Sequence, residues 1–114
     1  ATSYTLMALE LIDNSLAVVI TTERDYENAR NLANHILKKE LTKCVSLSKI
    51  NSIYWWEGSL EEAQEVQITI KTKPELLDHL IITLKKKHTY EIPQIICLRA
   101  SSSAEYKKWL AQPS

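Results

Sequence analysis

The sequence predicts an α+β domain: a four-stranded antiparallel sheet carrying two helices on one face, with a long β-hairpin and a short C-terminal helix. Three observations carry this. Four runs are rich in β-branched and aromatic residues, two stretches between them repeat apolar residues at helical spacing, and cap or turn residues stand at the junctions. Read in order, the elements are β, α, β, β, α, β.

Leu16 to Thr22 is a short apolar run of β character, so residues 1–15 form an N-terminal extension and residues 16–114 form the domain. Asp25 stands at an N-cap position, and Ala29, Leu32, Ala33, Ile36 and Leu37 then follow helical spacing. After Lys38-Lys39-Glu40 the longest β segment begins, Cys44 to Glu57, rich in Ile, Val, Tyr and Trp. A turn over Gly58 to Gln64 leads into Glu65 to Lys71, which alternates strictly. Val66, Ile68 and Ile70 point inward there, and Glu65, Gln67, Thr69 and Lys71 share the other face.

Pro74 suits the first turn of a second helix striped by Leu77, Leu80, Ile81 and Leu84, and Lys85 to Lys87 complement the dipole at its end. His88 to Pro93 connects to a last strand, Gln94 to Leu98. Ser101-Ser102-Ser103 then offers caps for a short helix bearing Tyr106, Trp109 and Leu110. The order βαββαβ is the ferredoxin-like split βαβ arrangement.

The segment from Cys44 to Glu57 would span on the order of 45 Å at roughly 3.3 Å per residue, whereas a compact chain of this length has a radius of gyration near 13 Å. Its far end must bend or reach another subunit. Two helices also leave one sheet face bare, so that face and the aromatic run Tyr54-Trp55-Trp56 call for an oligomeric partner.

Composition narrows the functional classes. The 14 Lys and Arg balance 14 Asp and Glu, and beyond Lys85-Lys86-Lys87 no basic stripe offers the footprint that nucleic acid needs. No stretch approaches the roughly 20 apolar residues of a membrane span, and the start lacks a basic signal-peptide region, which implies a cytoplasmic protein. Two cysteines, Cys44 and Cys97, make no disulfide framework. A single glycine, Gly58, excludes both Gly-rich phosphate loops and the nucleotide cofactors bound through them. No serine sits in a nucleophile elbow and no triad spacing stands out, so an enzyme is not expected.

Several separated motifs carry a family resemblance. Lys43-Cys44-Val45, Ser52-Ile53-Tyr54-Trp55-Trp56-Glu57-Gly58, Glu65 followed by Ile70-Lys71-Thr72, His88-Thr89-Tyr90-Glu91-Ile92-Pro93, and Tyr106 with Trp109-Leu110 resemble the CutA family of divalent-cation-tolerance proteins. Their order and spacing match from about Ala17 to Leu110. The chain departs from the usual pattern at Thr42-Lys43, where the family has Ala-Ala, at Trp55 for Arg, at Thr89 for Pro and at Gln94 for Glu. The resemblance implies a homotrimer whose sheets pack around a threefold axis, with long hairpins pairing across subunits.

It also directs attention to metal ligands. Cys44, Cys97, His35, His79 and His88 are the candidates, without a CxxC or HxxxH pair among them. Each cysteine can equally be a small core residue, and His35 and His79 read as part of solvated helix faces. The family's Cys-Val motif favours Cys44, and His88 can be held beside Glu91, so Cys44 and His88 are the expected metal ligands. Thiolate and imidazole suit copper or zinc.

In a trimer Tyr54, Trp56, Glu57, Glu65, Lys71, Thr72, His88, Tyr90 and Glu91 would line a polar and aromatic groove between subunits, the usual character of a small-ligand site. The same residues can instead be the satisfied polar part of an interface. The expected function is a non-enzymatic trimer in the response to divalent metal ions. Its rivals are a small-ligand sensor built like the trimeric PII signalling proteins, and a scaffold whose trimer is the function.

Overall fold

Strict alternation on one strand fixes the sheet. Val66, Ile68 and Ile70 are buried on one side of β3 while Glu65, Gln67, Thr69 and Lys71 stay half-buried on the other. The computed structural model describes residues 15–114. It orders them as β1 (Ser15–Glu23), α1 (Tyr26–Lys38), β2 (Cys44–Trp56), β3 (Ser59–Thr72), a 3-10 turn (Pro74–Leu76) running into α2 (Leu77–Lys87), β4 (Ile95–Ser101) and α3 (Ala104–Ala111). The expected extension, residues 1–15, lies outside the described residues except for Ser15, which opens β1.

The strands form one antiparallel sheet in the order β2-β3-β1-β4. Its core lies on the helix-bearing face, where Val19, Val66, Ile68 and Ile70 meet Ala29, Leu32 and Ile36 of α1 and Leu80 and Leu84 of α2. Ile68 is wholly shielded, and cutting such a side chain back to alanine typically costs about 2–5 kcal/mol. The expected caps are in place: Asp25 accepts from the Asn28 N–H at 2.8 Å, and Ser103 accepts from the Tyr106 N–H at 3.4 Å.

The other face is open. Register places Val18 beside Leu98 and Ile20 beside Ile96, and Leu98 and Ile96 remain exposed. α3 covers only one end of this face: Lys43 Nζ donates to the Trp109 carbonyl at 3.0 Å, Lys71 Nζ lies 5.9 Å from the Tyr106 ring, and Leu110 is buried. Cys97, read from sequence as a core candidate, is exposed. It sits on β4, one of the two edge strands.

The hairpin differs from expectation at its turn. Residues 59–64 are strand, because Trp56 pairs with Ser59 across a two-residue turn of Glu57 (φ 48°) and Gly58 (φ 81°). Left-handed backbone at both central positions is the geometry that matches the twist of paired strands. The stretch Glu61-Glu62-Ala63-Gln64 conceals its strand nature because the free hairpin is exposed around most of its circumference, which erases the inside-outside alternation that marks a strand.

The hairpin also outruns the sheet. β1 pairs with β3 only as far as Val66, so from Ile50↔Glu65 to Trp56↔Ser59 the hairpin projects without a third strand. The molecule measures 53 × 33 × 21 Å and its radius of gyration is 16.3 Å, above the roughly 13 Å of a compact chain of this length. Trp55 is 74% exposed and Ile53 is 65% exposed on this arm.

Two local features yield tests. α1 ends with Glu40 at φ 57°, the Leu41 N–H on the Ile36 carbonyl and the Glu40 N–H on the Leu37 carbonyl, both at 3.0 Å. This is a Schellman cap with glutamate where glycine is favoured. Glu40→Gly is expected to stabilise the fold by about 1 kcal/mol, read as a higher denaturation midpoint; a lower midpoint would contradict the strain argument. The second concerns His35, whose expected solvated setting is corrected: the residue is half-buried, and Nε2 is enclosed with no hydrogen-bond partner among the described residues. Burial, with Lys87 and Lys39 adding repulsion, lowers its pKa. The folded state therefore binds fewer protons than the unfolded state. Stability is retained above the unfolded value of about 6.5 and falls as pH drops through it. Denaturation at pH 8 and pH 5.5 should show the loss, and His35→Gln should reduce it; an unchanged pH dependence would assign the loss to other groups.

Candidate functional site

β1 stops at Glu23 because the chain turns there into the Asp25 cap of α1. Glu23 is nonetheless 1% exposed, and a buried carboxylate needs donors. Oε2 accepts the Thr89 N–H at 2.9 Å, and Oε1 accepts the Arg24 N–H at 3.1 Å and the Thr89 hydroxyl. The connector after α2 is thereby fastened to the end of β1.

His88 and Tyr90 extend this network. His88 Nδ1 accepts the Tyr90 N–H at 3.0 Å, so the ring proton belongs on Nε2, which faces Thr21 Oγ1 at 3.2 Å. Glu23 Oε2 lies 3.6 Å from the same Nδ1. The Tyr90 hydroxyl donates to Glu65 Oε2 at 2.7 Å. Burial first, then the Glu65 hydrogen bond and charge, raise the pKa of Tyr90 far above the ordinary phenol range. Arg24 closes the circuit, with Nε donating to Thr89 Oγ1 at 3.1 Å, Nη2 to the Thr89 carbonyl at 3.3 Å, and its guanidinium 5.4 Å from the Tyr90 ring centre.

Beside this network opens a cleft of about 480 Å³. It occupies the space next to the hairpin that β1 leaves when it stops. Arg24, Asp25 and Tyr26 form one wall, and Lys49, Ile50 and Asn51 from β2 with Gln64, Glu65 and Val66 from β3 form the other.

Within one chain the expected site residues separate into groups. Glu65, His88 and Tyr90 belong to the network just described. Glu91 is exposed on the same connector. Lys71 and Thr72 lie at the opposite end of β3, where the Thr72 hydroxyl donates to the Leu41 carbonyl at 2.8 Å and is buried. Tyr54, Trp56 and Glu57 lie at the hairpin tip, about a dozen rungs from Lys71, or roughly 40 Å along the strand. The groove expected from these nine residues therefore requires more than one chain. Sequence reasoning passed over Glu23, Arg24 and Lys49; an acid closing an apolar strand was the available signal for Glu23.

The metal ligands fare similarly. Cys44 opposes Lys71 on the open face, where it neighbours the Tyr106 hydroxyl. That hydroxyl is enclosed without a hydrogen bond of good geometry, and burial followed by the Cys44 thiol pushes its pKa up to about 12. His88 packs against Thr21 on the opposite face of the sheet. Among the described residues no three His, Cys, Asp or Glu side chains gather as a metal site would need. The donors of a single chain thus do not fit a copper or zinc ion.

Comparison with known proteins places this architecture. The family model described as CutA1 divalent ion tolerance protein matches residues 17–113. The divalent-cation tolerance protein CutA of Pyrococcus horikoshii is 35% identical over 98 residues, covering 85% of this chain and 96% of that protein. Protein CutA 1, chloroplastic, of Oryza sativa is 36% identical over 95 residues, 82% of this chain and 54% of the other. The solved structure of CutA from Synechococcus elongatus superposes with a TM-score of 0.82 at 34% identity, covering 85% of this chain and 88% of that one. With the match running through every described strand and helix, the chain belongs to the CutA divalent ion tolerance family.

Proposed function

We propose that this protein works as a homotrimer in the response to, and tolerance of, divalent metal ions, without catalysing a reaction. One observation carries the assembly: the hairpin arm leaves Ile53, Trp55, Trp56 and Leu60 exposed in a single chain, and the open sheet face leaves Ile96 and Leu98 exposed, large apolar side chains of the kind that mark protein interfaces. The number three rests on the family resemblance. The metal role rests on kinship with proteins named for tolerance of divalent cations. Copper and zinc are the candidate ions because Cys44 is a thiol, and a site pairing Cys44 with His88 has to be built across subunits. Both cysteines are free thiols, which suits a reducing compartment such as the cytoplasm.

Light scattering coupled to size exclusion should give three times the subunit mass at micromolar concentration. Trp56→Ala should then lower the melting temperature and promote dissociation, since a buried aromatic truncated to alanine typically costs about 3–5 kcal/mol and the loss recurs in each subunit. A one-subunit mass overturns the reading; a dimer preserves the surface argument and overturns the number.

Calorimetry with copper and zinc addresses the metal role. Binding at a defined site should be lost in Cys44→Ser and His88→Ala, retained in Cys97→Ser and His79→Ala, and weakened in acid, where protons compete with the metal for thiolate and imidazole. Uptake indifferent to all four substitutions would identify surface chelation and remove direct binding from the proposal.

A further inference from the structure

We propose that the cleft at the root of the hairpin binds a small organic anion, carboxylate or phosphate, through Arg24 and Lys49. The inference needs neither the trimer nor a metal ion, since Arg24 and Lys49 stand on the two walls of the cleft within one subunit. Its volume of about 480 Å³ lies within the range that small-molecule sites occupy.

Charge decides the sign of the ligand. One wall carries Arg24 and Asp25 and the other carries Lys49 and Glu65, which formally balances. The carboxylates, however, are engaged. Asp25 Oδ1 accepts from the backbone and side-chain nitrogens of Asn28 at 2.8 and 2.9 Å, and Oδ2 accepts from the same side chain at 3.1 Å. Glu65 Oε2 holds the Tyr90 hydroxyl. Lys49, by contrast, has no hydrogen-bond or ion-pair partner among the described residues. Lys49 is thus the charged group of the cleft left without a partner, and the side-chain amides of Asn51 and Gln64 offer further donors beside their acceptors.

Arg24 is also held in place. Two of its five N–H groups are fixed on Thr89 and its plane lies near the Tyr90 ring, so little side-chain freedom remains to be lost on binding. The remaining N–H groups form the fork that recognises a carboxylate or phosphate. A divalent cation is disfavoured at this place, because among the described residues no three acidic, histidine or cysteine ligands converge there.

The test is a titration of the full chain with succinate and, separately, with glycerol phosphate, at constant ionic strength, followed by calorimetry and by amide chemical shifts. At least one of the two should bind saturably and perturb Arg24, Asn51 and Gln64. Lys49→Ala should weaken that binding at least tenfold, the loss of a charge-assisted contact, while Lys108→Ala, on exposed α3, should leave it unchanged. The preferred anion tells carboxylate from phosphate. No saturable binding of either into the millimolar range, equal binding by Lys49→Ala, or preferential binding of spermidine would overturn the proposal. The subunit mass is read independently, so a monomer that binds the anion refutes only the trimer.

Discussion

The length mismatch between β1 and its neighbours sets the rest of the molecule. β1 has 9 residues, whereas β2 has 13 and β3 has 14, so the central hairpin outruns the strand that would have flanked it. Beyond Val66 the hairpin is a two-stranded ribbon, a form that is at best marginally stable in water by itself. The unsupported ribbon, the cleft beside it and the buried acid at the end of β1 are three results of the same early stop.

The Glu23 network shows how that stop is stabilised. A carboxylate removed from water is costly unless its oxygens are met by donors, and Glu23 meets main-chain N–H groups from Arg24 and Thr89 as well as the Thr89 hydroxyl. Thr89 stands where the family usually has proline. Proline would supply neither the N–H nor the hydroxyl, so this chain anchors its connector by bonds that the usual residue cannot make. Arg24 then relays the same anchor to Tyr90 and, through it, to Glu65 on β3.

Much of the fold is legible in the sequence because burial is one-sided. The stripe Ala29, Leu32, Ala33, Ile36 and the alternation Val66, Ile68, Ile70 each face a single core, and such patterns survive in the residue order. The caps Asp25 and Ser103 are legible because their chemistry is local. Residues 59–64 are not, since a ribbon wet on both sides has no apolar face to advertise. The site was less legible for another reason. Glu65 and Tyr90 are 25 positions apart and Glu23 and Thr89 are 66 apart, and single-sequence spacing carries no information about contacts at such separations. Cys44 and His88 each matched a motif, but the strand register together with the contact of His88 to Thr21 puts them on opposite faces of the sheet.

The sheet order has one more implication. β2 and β4 are both edges, and each presents a row of backbone groups able to join a further strand. Contacts between unlike edges close into a ring when the rotation between copies is right, and run on as an open filament when it is not. A long edge such as β2 thus makes correct closure a matter of solubility as well as of function. In the proposed homotrimer, a change that tilts the hairpin relative to the sheet would alter the closing angle, and its visible result would be fibres instead of a smaller, soluble species.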